Sequence, residues 1–542
     1  MRESNPNLES TAFSIEADCP FAAAYAIVNS SNPKFSPILA AGAFLAFLVA
    51  ALAPRLSLIL AGVAYADDWA AGYNTVQAHL ASYRPVSAGE LWLMQSILGE
   101  DYLTLRLPKL LSAIWYALSL TLLMHIALIH RVPRFLFLLL GLATLLHPAF
   151  NELILWGVLS PFAMGSMLSV AGAAIVYGSG SFKYRAAGII LMCMGAAASQ
   201  MASVIGACLL VTELAHRGVA ALLSDKRKEL VWRLAMVFIP PTCALVILIF
   251  LRNVLGYSDF ESRTVGLSSV SPTGYLRDKF YVVSNAIANL YQAPLGVSLG
   301  SNIALRAFWP IVLSATPLLA VLLILSRVGL YRAIWIALSI PLALAIALSP
   351  LFAATAMPTG YRILNNLFLV FCLALSVALV PFWAQIRSRI LVCIAISLVG
   401  ISFTWSSLAD INVRSAAWNQ DLVWLDEAKA SLQKTSARNV VLCSRQFPRP
   451  VESPSQKKGI LVSYGQADAL SYSVWYPQFL EGFLNNHGIA ARMSASGDTL
   501  TGECSEACAS SNKGNFGPHA LVLKIASSTD FVCPANPSAS TR

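Results

Sequence analysis

The chain has 542 residues, of which 57% are hydrophobic and only 12% are charged, and its mean hydropathy is +0.65. Because soluble domains carry about 25% charged residues, this composition excludes an ordinary soluble globule, a disordered chain and a coiled coil. The net charge of +10 suits the basic cytoplasmic loops of a membrane protein, and no nucleic-acid-binding motif accompanies it. The sequence therefore predicts an all-α polytopic membrane protein.

The N-terminal segment, residues 1–34, is polar and mixed in charge, without the basic start and short apolar core of a cleavable signal. We expect this segment to be cytoplasmic and the first apolar run to be a retained span. A helix crosses the bilayer core with about 20 residues, and lipid offers an uncharged run no alternative to helix. About eleven transmembrane helices are predicted, near 37–54, 108–129, 135–149, 158–177, 186–199, 201–215, 234–251, 307–326, 333–349, 367–383 and 391–408.

One apolar stretch, Ala186 to Ala215, is long for one helix and short for two. We predict two short helices that meet at Ser199 and Gln200. A single helix would reverse the orientation of everything after it and would place the basic segment 225–233 outside.

The orientation follows from Lys and Arg. With the N-terminus inside, fifteen of them fall in predicted cytoplasmic segments and ten in the opposite loops, the C-terminal tail aside. Since basic loops stay inside, a transmembrane domain over 35–409 is predicted, with long external loops at 55–106 and 252–306. Such long loops are usually functional.

Residues 410–542 are rich in Ser, Asn, Lys and Pro and are predicted to form a small α/β extracytoplasmic domain. Ala416 to Leu432 and Ser471 to Asn486 are its predicted helices, and NVVLCS, GILVSYG and HALVLKI its predicted strands. An even number of cysteines on the oxidising side favours two disulfides in one of three pairings, with a zinc site as the alternative. These disulfide candidates are Cys443, Cys504, Cys508 and Cys533.

The first external loop carries the strongest candidates for chemistry. Asp67 and Asp68 are adjacent, and a partly buried member of such a pair can accept a proton. Trp69 and Tyr73 offer aromatic surface for a sugar, and Arg84 supplies a fixed cation for a phosphate. The structural alternative is a solvated loop start with an interfacial aromatic belt and headgroup contacts.

Further polar residues lie close to predicted spans. Glu152, between two apolar segments, either binds substrate or caps the interface, and Gln200 either bonds to a neighbouring helix or lines a cavity. Tyr361 and Arg362 precede a span, where Arg362 binds a lipid-linked phosphate or an ordinary headgroup. Glu213 is expected to be structural.

Several well-known motifs are missing. There is no P-loop, no GxGxxG in a strand–helix context, no HExxH and no GxSxG, so no nucleotide cofactor is expected. His79, His147 and the carboxylates have no spacing that specifies a metal, although a divalent ion stays possible.

A first span followed closely by DDW, an aromatic loop ending in RPVS and a soluble external tail resembles the membrane glycosyltransferases of the C-fold (GT-C). More narrowly, it looks like the type II O-antigen glucosyltransferases of phages and bacteria. The resemblance places the family's DDW at Asp67, Asp68 and Trp69, its Arg-Pro step at Arg84, and its middle Gln at Gln200. The late external Arg of that family corresponds to Arg362. Two departures are Tyr83, where the family has glycine before the Arg, and Ser199, where it has tyrosine before the Gln.

The resemblance implies a sugar donor on a polyprenyl phosphate and transfer to a hydroxyl of a lipid-linked glycan such as O-antigen, at the outer face of a bacterial inner membrane. Asp67 or Asp68 would be the catalytic base, and Arg84 and Arg362 would bind the donor phosphate. Substrate-binding roles fall to Trp69, Tyr73, Glu152, Gln200 and Tyr361. A transporter or flippase of a polyprenyl-linked saccharide is the main alternative, and a glycan polymerase or ligase is a narrower one.

Overall fold

A computed structural model describes residues 36–63, 75–99, 106–217, 227–256, 330–350, 365–383 and 385–435, and four strands further on. Its α-helices are α1 Pro37–Leu52, α2 Leu56–Leu60, α3 Thr75–Ala81, α4 Pro85–Leu98, α5 Arg106–Ile129, α6 Arg134–Leu145, α7 Ala149–Leu155, α8 Ser160–Gly178, α9 Phe182–Ala198, α10 Ile205–Arg217, α11 Arg227–Asn253, α12 Leu330–Leu348, α13 Asn365–Trp383 and α14 Ile386–Thr435. Short 3-10 helices at Gly157–Leu159 and Gln200–Val204 precede α8 and α10.

Among the described residues, five helices are long and apolar enough to cross a membrane, namely α5, α8, α11, α13 and the first part of α14. The pair α6 and α7 becomes a sixth if its 73° bend lies within one span. This architecture fits an all-α membrane protein. Every predicted span coincides with a helix except 307–326, which lies outside the described residues, but the count of eleven is not reproduced. Helices such as α1, with 16 residues, are shorter than the roughly 20 that a bilayer core needs.

Glycines allow α8 and α9 to pack closely, in opposite directions. A Cβ on Gly188 would meet the carbonyl oxygen of Gly172 at 2.6 Å, and a Cβ on Gly195 would meet the backbone nitrogen of Ser169 at 2.9 Å. Later residues of α9 thus contact earlier residues of α8. The two helices are antiparallel neighbours, with small residues letting the backbones touch.

Helix α10 runs back in the direction of α8. Val170 and Ile205 line the same small apolar cavity, and further along the Tyr177 hydroxyl donates to Glu213 Oε2 at 3.1 Å. Together with the break after Ala198, where Ser199 has an extended backbone, this shows that the chain reverses between α9 and α10. The predicted pair of short helices meeting at Ser199 is confirmed.

The described helices have two polar ends. The Arg84 end contains the N-termini of α5 and α8 and the C-terminus of α9. The Glu213 end contains the C-termini of α5, α8 and α10 and the N-termini of α9 and α11. Between them lies an apolar core with large, fully buried side chains, including Phe47, Tyr116, Leu120, Phe137 and Phe150.

The bend between α6 and α7 is held by a buried arginine. The Arg55 guanidinium donates to the carbonyl of Ala51 at 2.8 Å and to those of Leu145 and His147 at 3.0 and 3.4 Å. It thereby satisfies backbone acceptors at the C-termini of α1 and α6, which a helix end otherwise leaves without partners. The fully buried Arg55 therefore joins these two helix ends at the Arg84 end.

The last described helix is a single element of 50 residues, Ile386–Thr435, and at 1.5 Å per residue it is about 75 Å long. It combines the span predicted at 391–408 with the separate helix predicted at Ala416 to Leu432. Asn151 of α7 bonds to two buried residues of this helix. Its side-chain nitrogen donates to Asp410 Oδ2 at 2.8 Å, and its side-chain oxygen accepts from the Ser407 hydroxyl at 2.9 Å. Arg414 completes this group with a 2.7 Å bond to Asp410.

The four strands form one sheet of order β2-β1-β3-β4, with β1 Asn439–Cys443, β2 Ala491–Met493, β3 Ala520–Lys524 and β4 Val532–Cys533. β1 is parallel to β2 and β3, and β4 is antiparallel to β3. β1 and β3 coincide with the strands predicted in NVVLCS and HALVLKI, whereas GILVSYG and the helix Ser471 to Asn486 lie outside the described residues.

Candidate functional site

A hydrogen bond joins two of the predicted site residues across 116 positions of sequence. The Arg84 Nε donates to Gln200 Oε1 at 2.9 Å. The Gln200 amide nitrogen donates in turn to the carbonyls of Ser82 at 2.9 Å and Tyr83 at 3.2 Å. Gln200 therefore bonds to residues 82–84, the turn between α3 and α4, instead of to a helix, and it orients the guanidinium of Arg84.

The backbone turn at the end of α3 places Arg84 at this position. The N–H of Arg84 donates to the carbonyl of His79, and the N–H of Tyr83 donates to the carbonyl of Leu80, each at 2.9 Å. These two hydrogen bonds form a Schellman motif at the C-terminus of α3. Tyr83 has a φ of 59°, the left-handed conformation that usually selects glycine.

The Arg84 guanidinium lies over an aromatic ring in the first turn of α8. Its central carbon is 4.7 Å from the centre of the Phe162 ring, a cation–π distance, and the same ring is 5.9 Å from the imidazole of His79. The guanidinium is therefore held by Gln200 on one side and by the Phe162 ring on another. A guanidinium ordered in this way is suited to a phosphate oxygen.

Two titratable side chains border the same turn of α8. Burial, with a smaller contribution from the Arg84 charge, lowers the pKa of His79 to about 3. Burial raises the pKa of Glu90 to about 7, against the opposing effects of the Ser160 and Trp115 side chains. The Ser160 hydroxyl donates to Glu90 Oε1 at 3.1 Å. At neutral pH, His79 is uncharged and Glu90 is close to its titration point.

The sequence interpretation missed Glu90, and it considered His79 only as a metal ligand. A usable signal for Glu90 was present. It lies three residues after Ser87 and four before Met94, both of which are buried, and such spacing places it on the inner face of α4. Ser87 confirms that this face meets α9, because its hydroxyl donates to the carbonyl of Ala198 at 2.6 Å.

Two more cations at the Arg84 end are fully buried, Arg55 and Lys109. The ammonium group of Lys109 donates to the carbonyl of Val63, the last described residue before segment 64–74. Sequence reasoning counted both residues as loop cations. Neither is a loop residue facing water, because each bonds to backbone carbonyls in the protein interior.

Glu152 is fully buried in the first turn of α7, beside Asn151, whose side chain is bonded to α14. Glu152 thus lies beside the contact between α7 and α14, whereas Arg84 contacts Gln200 and Phe162. The other predicted site residues lie outside the described residues, namely Asp67, Asp68, Trp69, Tyr73, Tyr361 and Arg362. Cys504 and Cys508 lie outside them too, while Cys443 ends β1 and Cys533 ends β4.

Within the described ranges, no three His, Cys, Asp or Glu side chains come together as metal ligands. Comparisons with protein-family models, with curated proteins and with solved structures found no match to this chain.

Proposed function

We propose that this protein is a membrane glycosyltransferase of the C-fold type that moves a hexose, such as glucose, from a polyprenyl phosphate to a hydroxyl of a lipid-linked glycan. The observation that carries the proposal is the ordered guanidinium of Arg84, bonded to Gln200 and seated on Phe162. Arg84 lies at the same end of the helix bundle as Val63, the last described residue before Asp67 and Asp68 in the sequence.

The chemistry is a displacement at the anomeric carbon of the donor. The acceptor oxygen forms the new bond to that carbon, and its proton passes to the carboxylate of Asp67 or Asp68. The bond between the anomeric carbon and the phosphate oxygen breaks, and the electron pair leaves with the polyprenyl phosphate. Negative charge grows on that phosphate, so a cation already held in place stabilises the transition state.

The environment of Arg84 supports this role. His79 is uncharged at neutral pH because its pKa is lowered to about 3, so it adds no competing charge beside the guanidinium. Gln200 accepts from Nε and so fixes the plane of the guanidinium group. A flat fork in a fixed plane matches two phosphate oxygens better than a mobile ammonium does.

The remaining assignments complete the proposal. Arg362 is a second phosphate ligand, and Trp69, Tyr73, Glu152 and Tyr361 bind or orient the sugar and the acceptor. The site faces the periplasm of a bacterial inner membrane, with residues 1–34 in the cytoplasm and the tail after 409 outside. No nucleotide is required.

The test uses purified protein in lipid with a radiolabelled polyprenyl-phosphate hexose and a lipopolysaccharide acceptor. We expect label to move to the glycan, with a fall of 10²-fold or more for Asp67→Asn or Asp68→Asn, whichever is the base. Arg84→Lys keeps the charge but loses the fork, and we expect a fall of about tenfold or more. Arg106→Lys, at the exposed first residue of α5 at the same end of the bundle, is the matched control and should retain activity.

Full activity in both aspartate variants would contradict the assigned base. Lipid-linked sugar crossing the bilayer without any transfer would instead identify a flippase. Equal losses in Arg84→Lys and Arg106→Lys would remove the argument for a phosphate site at Arg84.

A further inference from the structure

Glu90 lies at the boundary between the buried and exposed faces of α4. Leu91 and Met94 are buried, whereas Leu93 and Ile97 are 53% and 69% exposed. Because successive helical residues are about 100° apart around the axis, Glu90 falls between Met94 on the buried side and Ile97 on the exposed side. Its carboxyl group is therefore buried at an edge of the helix bundle and not in its centre.

A tryptophan of α5 lies next to this carboxyl group. Leu111 of α5 packs against Leu91 and Met94 of α4. Trp115 follows one turn later on the same face of α5. Its indole is near enough to Glu90 to lower the pKa of the carboxyl group, against the larger and opposite effect of burial. The tryptophan and the glutamate therefore approach each other across the contact between α4 and α5.

Each member of this pair has one buried polar atom without a hydrogen bond. Glu90 Oε1 accepts from the Ser160 hydroxyl at 3.1 Å. Among the described residues, neither Glu90 Oε2 nor Trp115 Nε1 has a partner in hydrogen-bond geometry, although both atoms are buried. Since a buried polar atom left unpaired is costly, the two atoms mark a place for one more polar group.

The chemistry of the two atoms restricts what that group is. A carboxylate oxygen accepts a hydrogen bond and an indole N–H donates one. A hydroxyl group both donates and accepts, so a single hydroxyl satisfies Glu90 Oε2 and Trp115 Nε1 together, whereas a carbonyl or an ammonium group satisfies only one of them. Water shares this property with alcohols, and sugars are the substrate class richest in hydroxyls.

The ordered guanidinium of Arg84 lies beside the same turn of α8. It is seated on Phe162, two residues after Ser160. Along α4, Glu90 follows Arg84 by six residues, which corresponds to about 9 Å. That separation is comparable to the extent of one hexose with its phosphate. A lipid-linked hexose whose phosphate binds Arg84 can therefore reach Glu90 and Trp115.

We infer that Glu90 Oε2 and Trp115 Nε1 bind one hydroxyl of the hexose that the donor lipid carries. The hydroxyl donates to the carboxylate and accepts from the indole, while Ser160 holds the carboxylate through Oε1. The pair recognises the sugar and takes no part in bond breaking, so it determines specificity. The inference rests on the proposed function in taking a polyprenyl-phosphate hexose as the ligand.

The test measures donor binding and transfer separately, with the full-length protein in lipid. The ligands are radiolabelled polyprenyl-phosphate glucose and a set of analogues that each lack one hydroxyl of the sugar. We expect one analogue to bind about 10- to 100-fold more weakly than the glucose donor, because its missing hydroxyl leaves two buried polar atoms unpaired.

Two variants connect this penalty to the pair. Trp115→Phe removes the N–H and keeps an aromatic ring, and Glu90→Gln removes an acceptor oxygen. In each variant, the penalty for the same analogue is expected to shrink severalfold. Trp92→Phe, at an indole of α4 that is 60% exposed, is the matched control and should keep the full penalty. Unfolding midpoints verify that each variant is folded.

Equal binding of every analogue by the parent protein would overturn the inference without recourse to a variant. An undiminished penalty in both Trp115→Phe and Glu90→Gln would overturn it as well, because the pair would then hold only a water molecule. The expected binding pattern without transfer to the glycan would support the hydroxyl site and reject the transferase. Transfer with equal use of all analogues would do the reverse.

Discussion

Tyr83 and Arg84 show how a single backbone conformation organises the candidate site. A non-glycine residue with positive φ is uncommon, and here it allows α3 to end in two backbone hydrogen bonds while the next residue turns toward Gln200. The cost of that conformation, about 1–3 kcal/mol, is offset by the burial of Tyr83, which is only 5% exposed. The same short motif also brings His79 next to the arginine, whose charge adds to the larger effect of burial in lowering the pKa of the imidazole.

At the same scale, His79 and Glu90 give opposite dependences of stability on pH. The raised pKa of Glu90, about 7, means that its favourable contribution is full below the unfolded value of 4.5 and is lost as the pH rises through 7. The lowered pKa of His79, about 3, means that its contribution is full above 6.5 and is lost as the pH falls toward 3. Between pH 4.5 and 6.5 the two effects oppose each other.

Single variants separate these effects, measured as the midpoint of thermal unfolding in detergent across pH 4.5–7.5. In Glu90→Gln, the midpoint should rise with pH up to about 6.5, since only the histidine effect is left. In His79→Leu, it should fall between pH 4.5 and 7, because burying a charged Glu90 costs about 3 kcal/mol. Parallel curves for the two variants and the parent protein would contradict both assignments.

At the scale of elements, α8 and α9 depend on the absence of side chains where they cross. A Cβ at Gly172 would collide with the carbonyl of Gly188 and would lie 2.7 Å from Met192 Cγ. Backbone atoms cannot yield as a flexible side chain does, so the helices would have to separate. This matters for the site, because the carbonyl of Ala198 at the C-terminus of α9 accepts a hydrogen bond from Ser87, and Gln200 follows two residues later.

We therefore expect Gly172→Ala to destabilise the protein by about 1–3 kcal/mol. Gly42→Ala in α1 is the matched control, since its Cβ would meet nothing within 4 Å, and better helix propensity should make that variant slightly more stable. Unfolding midpoints of the purified variants provide the measurement. A neutral Gly172→Ala would show that the two helices are further apart than described.

At the scale of the whole molecule, polar side chains gather at two ends with an apolar core between them. Ion pairs join α9, α10 and α11 at one end, and Arg84, Gln200 and Glu90 lie at the other. Because the chain reverses at Ser199, the basic residues before α9 and after α10 lie on one side, as the positive-inside pattern predicts. Which side faces the cytoplasm stays a prediction.

The sheet in the tail limits how the four cysteines there can pair. Cys443 is aligned with Lys524 of β3, and Cys533 is aligned with Val522 on the opposite side of β3. The two cysteines are thus two strands apart, about 9–10 Å, beyond the roughly 7 Å that a disulfide spans. Of the three possible pairings, the one that joins Cys443 to Cys533 is incompatible with this register.

Peptide mapping of the non-reduced protein is therefore expected to show Cys443 joined to Cys504 or Cys508, and Cys533 joined to the other one. In intact cells these four thiols should label only after reduction by a thiol that does not enter the cytosol. A peptide linking Cys443 to Cys533 would contradict the register, and strong labelling before reduction would contradict an oxidised external tail.

The sequence by itself determined the membrane class, the positions of most helices and the break at Ser199, because long uncharged runs have no stable alternative in lipid and two polar residues interrupt one of them. It also singled out Arg84 and Gln200, although not their hydrogen bond. Only the tertiary structure decided that α14 is continuous, that Arg55 and Lys109 are buried, and that Glu90 accepts a hydrogen bond from Ser160. Those features depend on contacts between residues distant in sequence, and neither hydropathy nor charge counts contain the direction in which a helix packs.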